Sequence, residues 1–220
     1  MADRAAVRAA DPGKDPSLDF EAACFAAGSP LVIGVDEVGR GAIAGPVAVG
    51  VHAVPAGTLV FPEGLRDSKL LSEKRREALA PEVLQWGTGA VGYATAEEVD
   101  AHGIGWALGA AGRRALLALH EAGTAVPHAV VLVDGSHDWL TPALRSPLNV
   151  RTRVGADRAC ASVAAASVRA KVERDELMRA ADAEHPGYAW ASNKGYGAKA
   201  HYEGIAALGL TALHRRSFIH

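Results

Sequence analysis

The chain has 220 residues, enough for one sizeable domain, and its 49% hydrophobic and 22% charged content is that of an ordinary globular fold. No apolar stretch approaches the ~20 residues of a membrane helix, and Met1 to Arg8 lacks the apolar core of a signal peptide. Two distant cysteines, Cys24 and Cys160, make neither a disulfide framework nor a zinc motif and suit a reducing, cytoplasmic setting; the net charge of −2 conceals −7 over residues 1–144 (11 Lys+Arg against 18 Asp+Glu) and +5 over residues 145–220 (12 against 7).

Residues 1–16 are polar, Ala-rich and broken by Pro12 and Pro16, the pattern of a disordered tail. Asp19 to Ala27 predicts a short helix stopped by Gly28-Ser29-Pro30. Leu31 to Val35 has the length and β-branched content of a buried strand, and Asp36-Glu37 follows at its mouth. The turn Gly39-Arg40-Gly41 comes next. Pro46 to Val54, with valines at 47, 49 and 51, predicts a second strand antiparallel to the first. Val60 to Pro62 reads as a short extension, and Leu65 to Leu71 as a loop carrying Asp67, Ser68 and Lys69.

Ser72 caps a predicted helix with Leu79, Val83 and Trp86 on one face. Ala90 to Thr95 is a third strand, and Thr95 to Glu98 is a capping box opening the next helical turn. Ile104 to Ala122 is a long amphipathic helix, Ala129 to Asp134 a fully buried strand ending on an acid, and Pro147 to Arg151 another short strand. Ala159 to Ala183 predicts a helix, Ala-rich and then charged, in which Asp175 and Glu176 read as a solvated face. A loop rich in glycine and aromatic residues, a short helix near Ala200–Leu208 and a basic tail close the chain. The expectation is an α/β domain around a mixed sheet.

The chemistry starts from Asp36 and Glu37. Two carboxylates ~4 Å apart repel by about 4 kcal/mol at an effective dielectric of ~20, and a divalent cation is the commonest remedy. Asp134 ends another strand, and Asp157 lies just before the Ala-rich helix. Carboxylates on separate strand ends can converge at one sheet edge, which is what a hard cation such as magnesium requires. Taken singly, Asp134-Gly135 could be a tight turn and Asp157 a helix cap. Gly39-Arg-Gly41-Ala-Ile-Ala44 also fits a dinucleotide fingerprint. That fingerprint must open a helix, whereas Pro46 and the alternating valines point to a strand. Asn193-Lys194-Gly195-Tyr196-Gly197 joins a cation, flexible glycines and an aromatic, a loop able to meet a phosphate and a sugar. His214-Arg215-Arg216 is a basic cluster suited to backbone phosphates, or to a solvated surface.

In order along the chain stand Asp36-Glu37-Val-Gly-Arg-Gly41, Arg66-Asp67-Ser68-Lys69 with Leu71-Ser72, Val133-Asp134-Gly135, Ala164 to Asp175, Asn193 to Gly197, and His214-Arg-Arg-Ser-Phe218. Together they resemble ribonuclease HII from about Phe20 to Phe218. The resemblance implies a ribonuclease H-like fold, α/β with a mixed β-sheet flanked by helices and a small C-terminal helical portion. It implies an endoribonuclease that cuts the RNA strand of RNA–DNA hybrids, and DNA on the 5′ side of embedded ribonucleotides. Catalysis would use two divalent ions, Mg2+ or Mn2+, and leave 5′-phosphate and 3′-hydroxyl ends. The metal-binding acids carry over to Asp36, Glu37, Asp134 and Asp157, the ribose-reading turn to Gly39, Arg40 and Gly41, and the junction-sensing tyrosine to Tyr196. Ser68, Lys69, Lys194 and Arg215 are expected among the substrate contacts.

Two departures stand out. Val154-Gly-Ala-Asp157 has an inserted residue and no lysine where many relatives have Lys-Gly before the fourth acid. Ala198 offers no hydroxyl where relatives often have threonine. The implied organisation is a tail (1–16), a catalytic domain (17–184) and a substrate-binding portion (185–220), acting as a monomer without membrane attachment. The alternatives are another nuclease of the same fold acting on DNA, a non-catalytic nucleic-acid-binding module, and a dinucleotide-dependent oxidoreductase.

Overall fold

The computed structural model describes residues 15–219, so the expected tail, apart from Asp15 and Pro16, lies outside the described residues. Among the described residues there are five strands: β1 (Leu31–Val38), β2 (Val47–Pro55), β3 (Thr88–Ala94), β4 (Val130–Asp134) and β5 (Asn149–Arg153). The helices are α1 (Asp19–Ala26), α2 (Glu73–Trp86), α3 (Ala96–His102), α4 (Ile104–Glu121), α5 (Ala156–Ala159), α6 (Ala161–Glu184), α7 (Trp190–Asn193) and α8 (Lys199–Leu208). The sheet order is β3-β2-β1-β4-β5. β1 is antiparallel to β2, and β2 to β3, while β1, β4 and β5 run parallel. This is the mixed sheet the strand pattern predicts.

The valine alternation explains the first face. Ile33 and Val35 of β1 join Val47, Val49 and Val51 of β2 in a core closed by Leu108, Ala111, Ala115 and Leu119 of α4. On the other face, α6 lies against β1 and β2 at very short range. A Cβ on Gly34 would stand 2.2 Å from the Ser162 backbone, and one on Gly50 would stand 2.3 Å from the Ala166 carbonyl oxygen. The alanine run of α6 and these two strand glycines are thus one packing solution: neither surface has side chains to hold them apart.

The local signals are borne out. Ser72 Oγ accepts from Arg75 N, and the Thr95–Glu98 capping box is fully formed. The structure also departs from the sequence reading. β1 runs on to Val38, so Asp36 and Glu37 belong to the strand itself. The expected helix from Ala159 divides: Asp157 sits in the one-turn α5, with Gly155 in the N-cap position, and α6 starts at Ala161. Residues 60–62 form no strand. Asp175 is buried rather than solvated, held between Lys171 and Arg76.

Candidate active site

Strand register sets the first pair of acids. β1 and β4 pair in parallel from Val32↔Val130 to Val35↔Val133. The next residues, Asp36 and Asp134, therefore leave the ladder side by side at the same end of the sheet. Asp134 Oδ1 accepts from the backbone N–H of Ala156 at 2.7 Å and of Asp157 at 3.4 Å. A carboxylate at these first-turn amides is favoured by their dipoles. It also fastens α5 to the end of β4 and brings Asp157 to the same edge.

The segment expected to carry substrate contacts supplies a cation there. Lys69 Nζ is 3.3 Å from Asp157 Oδ2. Its position is fixed from behind: Asp67 Oδ1 accepts from Lys69 N, and Ser68 Oγ hydrogen-bonds Ser167 Oγ of α6 at 2.8 Å. Arg76 donates to the carbonyls of Ser68 and Leu71. Buried Asp175 in turn holds Arg76 at 3.7 Å and Lys171 at 2.6 Å. The charged half of α6 is a buttress for this loop.

The electrostatics follow from burial. Asp36 is 1% exposed, and neither of its oxygens has a hydrogen-bond partner. Burial pushes its carboxyl up to about 8, opposed by Lys69 and the nearby Ser167 hydroxyl and reinforced by Glu37 and Asp134. Burial also raises Glu37, against the pull of Arg40 and Lys69. Asp134 is raised by burial and then by Asp157, against the two amide hydrogen bonds it accepts. Burial pulls the Lys69 ammonium down, but Asp36, Asp67 and Asp157 outweigh it and hold the group firmly protonated. A two-oxygen carboxylate buried without a donor among like charges suits a hard cation. Among the described residues no group of three or more His, Cys, Asp or Glu side chains is arranged to hold a metal ion as it stands. The Lys69 ammonium pairs with Asp157 and acts on the other three acids by its charge.

The glycine turn lies beyond β1. Gly39 has φ +82°, and a Cβ there would stand 2.2 Å from Arg174 Nε. Arg174, fully buried, donates to the carbonyls of Pro46, Lys194 and Ala44, and its guanidinium lies 5.7 Å from the centre of the Tyr196 ring. Arg215 is also fully buried and donates to the carbonyls of Gly45, Gly39 and Arg40. It holds the turn from behind, which corrects the expectation that it meets phosphate, and burial of His214 and Arg215 likewise excludes a solvated basic cluster. The Ile43 and Ala44 amides bond the Gly195 carbonyl, tying the turn to the Tyr196 loop. Gly41 differs from Gly39: it is exposed, and an added Cβ would meet nothing within 4 Å. Arg40 projects outward, 3.7 Å from Glu37. Tyr196 is 38% exposed. Lys194 turns inward to Glu73 at 2.9 Å rather than outward. Ala198 is the N-cap of α8 and makes no side-chain cap.

Sequence reasoning missed the two arginine struts as such. The signal was present as a turn full of glycine carbonyls with no local donors, which some buried donor had to satisfy.

The sheet order and the acids at the ends of its central strands define a class, the ribonuclease H-like nucleases. Solved structures agree on the fold: ribonuclease H2 from Pyrococcus horikoshii aligns with TM-score 0.67 at 24% identity, covering 85% of this chain and 93% of that one. The Mn2+ complex of Bst-RNase HIII aligns with TM-score 0.68 at 22% identity, covering 89% and 69%. The ribonuclease HII family model matches residues 33–220. The ribonuclease HII of Streptomyces avermitilis is 47% identical over 192 residues, 87% of this chain and 78% of the relative. That of Cereibacter sphaeroides is 43% identical over 203 residues, 92% and 91% of the two chains. The chain belongs to the ribonuclease HII family, and with it to the endoribonucleases that act on RNA–DNA hybrids.

Proposed function

We propose that Asp36, Glu37, Asp134 and Asp157 hold two divalent cations, Mg2+ or Mn2+, and that the chain cuts RNA–DNA hybrids and duplex DNA at embedded ribonucleotides. The observation that carries this reading is Asp36: both oxygens are buried with no hydrogen-bond partner of ordinary geometry, beside Glu37 and Asp134, and only Lys69 and the Ser167 hydroxyl offset their charge. Bound there, the ions would supply an acidified water for in-line attack and stabilise charge on the scissile phosphate and the leaving 3′-oxygen. The chain's own residues do the positioning. Asp134 keeps one oxygen on the α5 amides, which leaves the other for a cation. Lys69 pairs with Asp157, so a cation on that carboxylate would displace it, and a neighbouring phosphate is a natural new partner for its ammonium.

Selection of RNA falls to the glycine turn. Its backbone is held by Arg174 and Arg215, and its outer face at Gly41 is bare enough for a ribose 2′-hydroxyl to reach the backbone. Tyr196, partly exposed and braced by Arg174, is placed to pack against the sugar at an RNA–DNA junction. We assign residues 17–184 as the catalytic part and 185–220 as the substrate-binding part of a monomer working in the cytoplasm. Among the described residues no helix is long and apolar enough to cross a membrane.

Asp134→Asn tests the assignment. It keeps an oxygen for the α5 amides but loses charge. It should bind hybrid duplex while cleavage with Mg2+ falls by ~100-fold or more. Turnover near the parent rate would remove Asp134 from the centre.

A further inference from the structure

The C-terminal portion contains a buried imidazole pair that the catalytic account leaves unused. His201 of α8 and His214 are both buried. His201 Nδ1 is 2.9 Å from the Tyr196 carbonyl oxygen. Trp190 Nε1 donates to His201 Nε2 at 2.8 Å, and His214 Nε2 is 3.2 Å from that same nitrogen. His214 Nδ1 accepts from Thr211 N at 2.9 Å.

These partners fix every proton. A carbonyl only accepts, so His201 Nδ1 carries hydrogen. The Trp190 indole only donates, so His201 Nε2 is bare. The Thr211 amide only donates, so His214 Nδ1 is bare and its hydrogen sits on Nε2, aimed at His201. Both rings are neutral, in opposite tautomers, and each ring nitrogen has a partner. An added proton on His201 Nε2 would set donor against donor, and one on His214 Nδ1 would lose the Thr211 amide and keep only the Thr211 hydroxyl, 3.0 Å away, as acceptor. The groups facing the pair agree: Tyr188 packs edge-on against both rings, and His185 and Arg216 discourage charge on His214. Burial lowers His201 and takes His214 down to about 4.

We propose that His201 and His214 are positioning residues for junction recognition: a neutral, tautomer-locked pair that fixes the backbone of Tyr196 and so the placement of its ring. The inference rests on the reading of Tyr196 as a substrate contact. His201 is the direct link to the Tyr196 carbonyl, and His214 with Trp190 sets which nitrogen of His201 bears the proton.

The test compares cleavage of duplex DNA holding one ribonucleotide with cleavage of an all-RNA/DNA hybrid, for His201→Phe, His201→Asn and Tyr196→Ala. His201→Phe keeps an aromatic ring and loses all three hydrogen bonds, so the junction-to-hybrid ratio should fall about tenfold. His201→Asn presents an amide N–H at the Nδ1 position and should recover most of the ratio. Tyr196→Ala should lower the ratio at least as far as His201→Phe. If Tyr196→Ala lowers it and His201→Phe does not, or if His201→Asn behaves like His201→Phe, the positioning role is overturned. If Tyr196→Ala leaves the ratio unchanged, the Tyr196 reading fails and the proposal falls with it. Nitrogen-15 NMR of the full chain reads the lock without any cleavage. Near pH 7 it should show His201 as Nδ1–H and His214 as Nε2–H, both neutral; an Nε2–H or charged His201 would overturn the proposal.

Discussion

Asp36 is stable in this fold at a cost that depends on pH. Its carboxyl titrates at about 8, against 3.8 for the free group. Between those values the folded chain holds a proton that the unfolded chain has lost, so stability falls as pH rises from about 4 and levels off above about 8. Asp36→Asn removes this penalty. Without divalent ions it should melt higher than the parent at pH 8, and the advantage should vanish below about pH 4, as thermal denaturation across that range would show. Its cleavage should be lost. A parent that gains no stability from Asp36→Asn at pH 8 would mean the carboxyl is better solvated than its burial implies. Lys69 gives a second residue-scale outcome. It neutralises the same acids the ions would neutralise, so Lys69→Met should bind Mn2+ more tightly in the absence of nucleic acid and bind hybrid duplex less well. Calorimetry with Mn2+ alone checks the first part, and unchanged or weaker binding would contradict it.

The glycine turn illustrates what an element can and cannot declare in sequence. Gly39-Arg40-Gly41 was legible as a close-approach turn, and the valines after Pro46 were legible as a strand, which disposed of the dinucleotide reading. The two glycines nevertheless play different parts. Gly39 is needed by the protein, because its φ is positive and Arg174 fills the place a Cβ would take. Gly41 is not, since a Cβ there meets only open space. Gly41→Ala should therefore melt within about 0.5 kcal/mol of the parent yet cleave ~10-fold or more slowly. Gly39→Ala should lose both stability and cleavage. Equal cleavage by Gly41→Ala and the parent would show that no substrate group approaches that face. Arg174 and Arg215 were the illegible half of this element. A charge on an Ala-rich helix and a charge in a basic tail look solvated, and their burial follows only from a distant set of carbonyls that sequence spacing does not reveal. The same holds for Asp175, whose partners Lys171 and Arg76 lie four residues away and on another helix.

At the scale of the whole molecule, a mixed sheet and the convergence of Asp36 with Asp134 at one edge were within reach of periodicity, because the apolar runs from Leu31 and from Ala129 each lead into an acid, whereas the strand order was not. Asp157 was harder, since an inserted residue obscures its spacing; the structure brings it in through the amides that Asp134 caps. The uneven charge, −7 in residues 1–144 and +5 in 145–220, maps less simply than it reads, because several C-terminal cations are struts within the fold. Electrostatic attraction of duplex should rest on the exposed basic residues alone, giving a shallow salt dependence of KM. A carboxylate centre joined to a ribose-reading turn makes a definite demand on the cleavage pattern. Duplex DNA carrying a single ribonucleotide, incubated with Mg2+ or Mn2+, should be cut once on the 5′ side of that ribonucleotide, leaving a 3′-hydroxyl and a 5′-phosphate. Cutting of ribonucleotide-free DNA at a similar rate, or cutting that persists in a chelator, would contradict it.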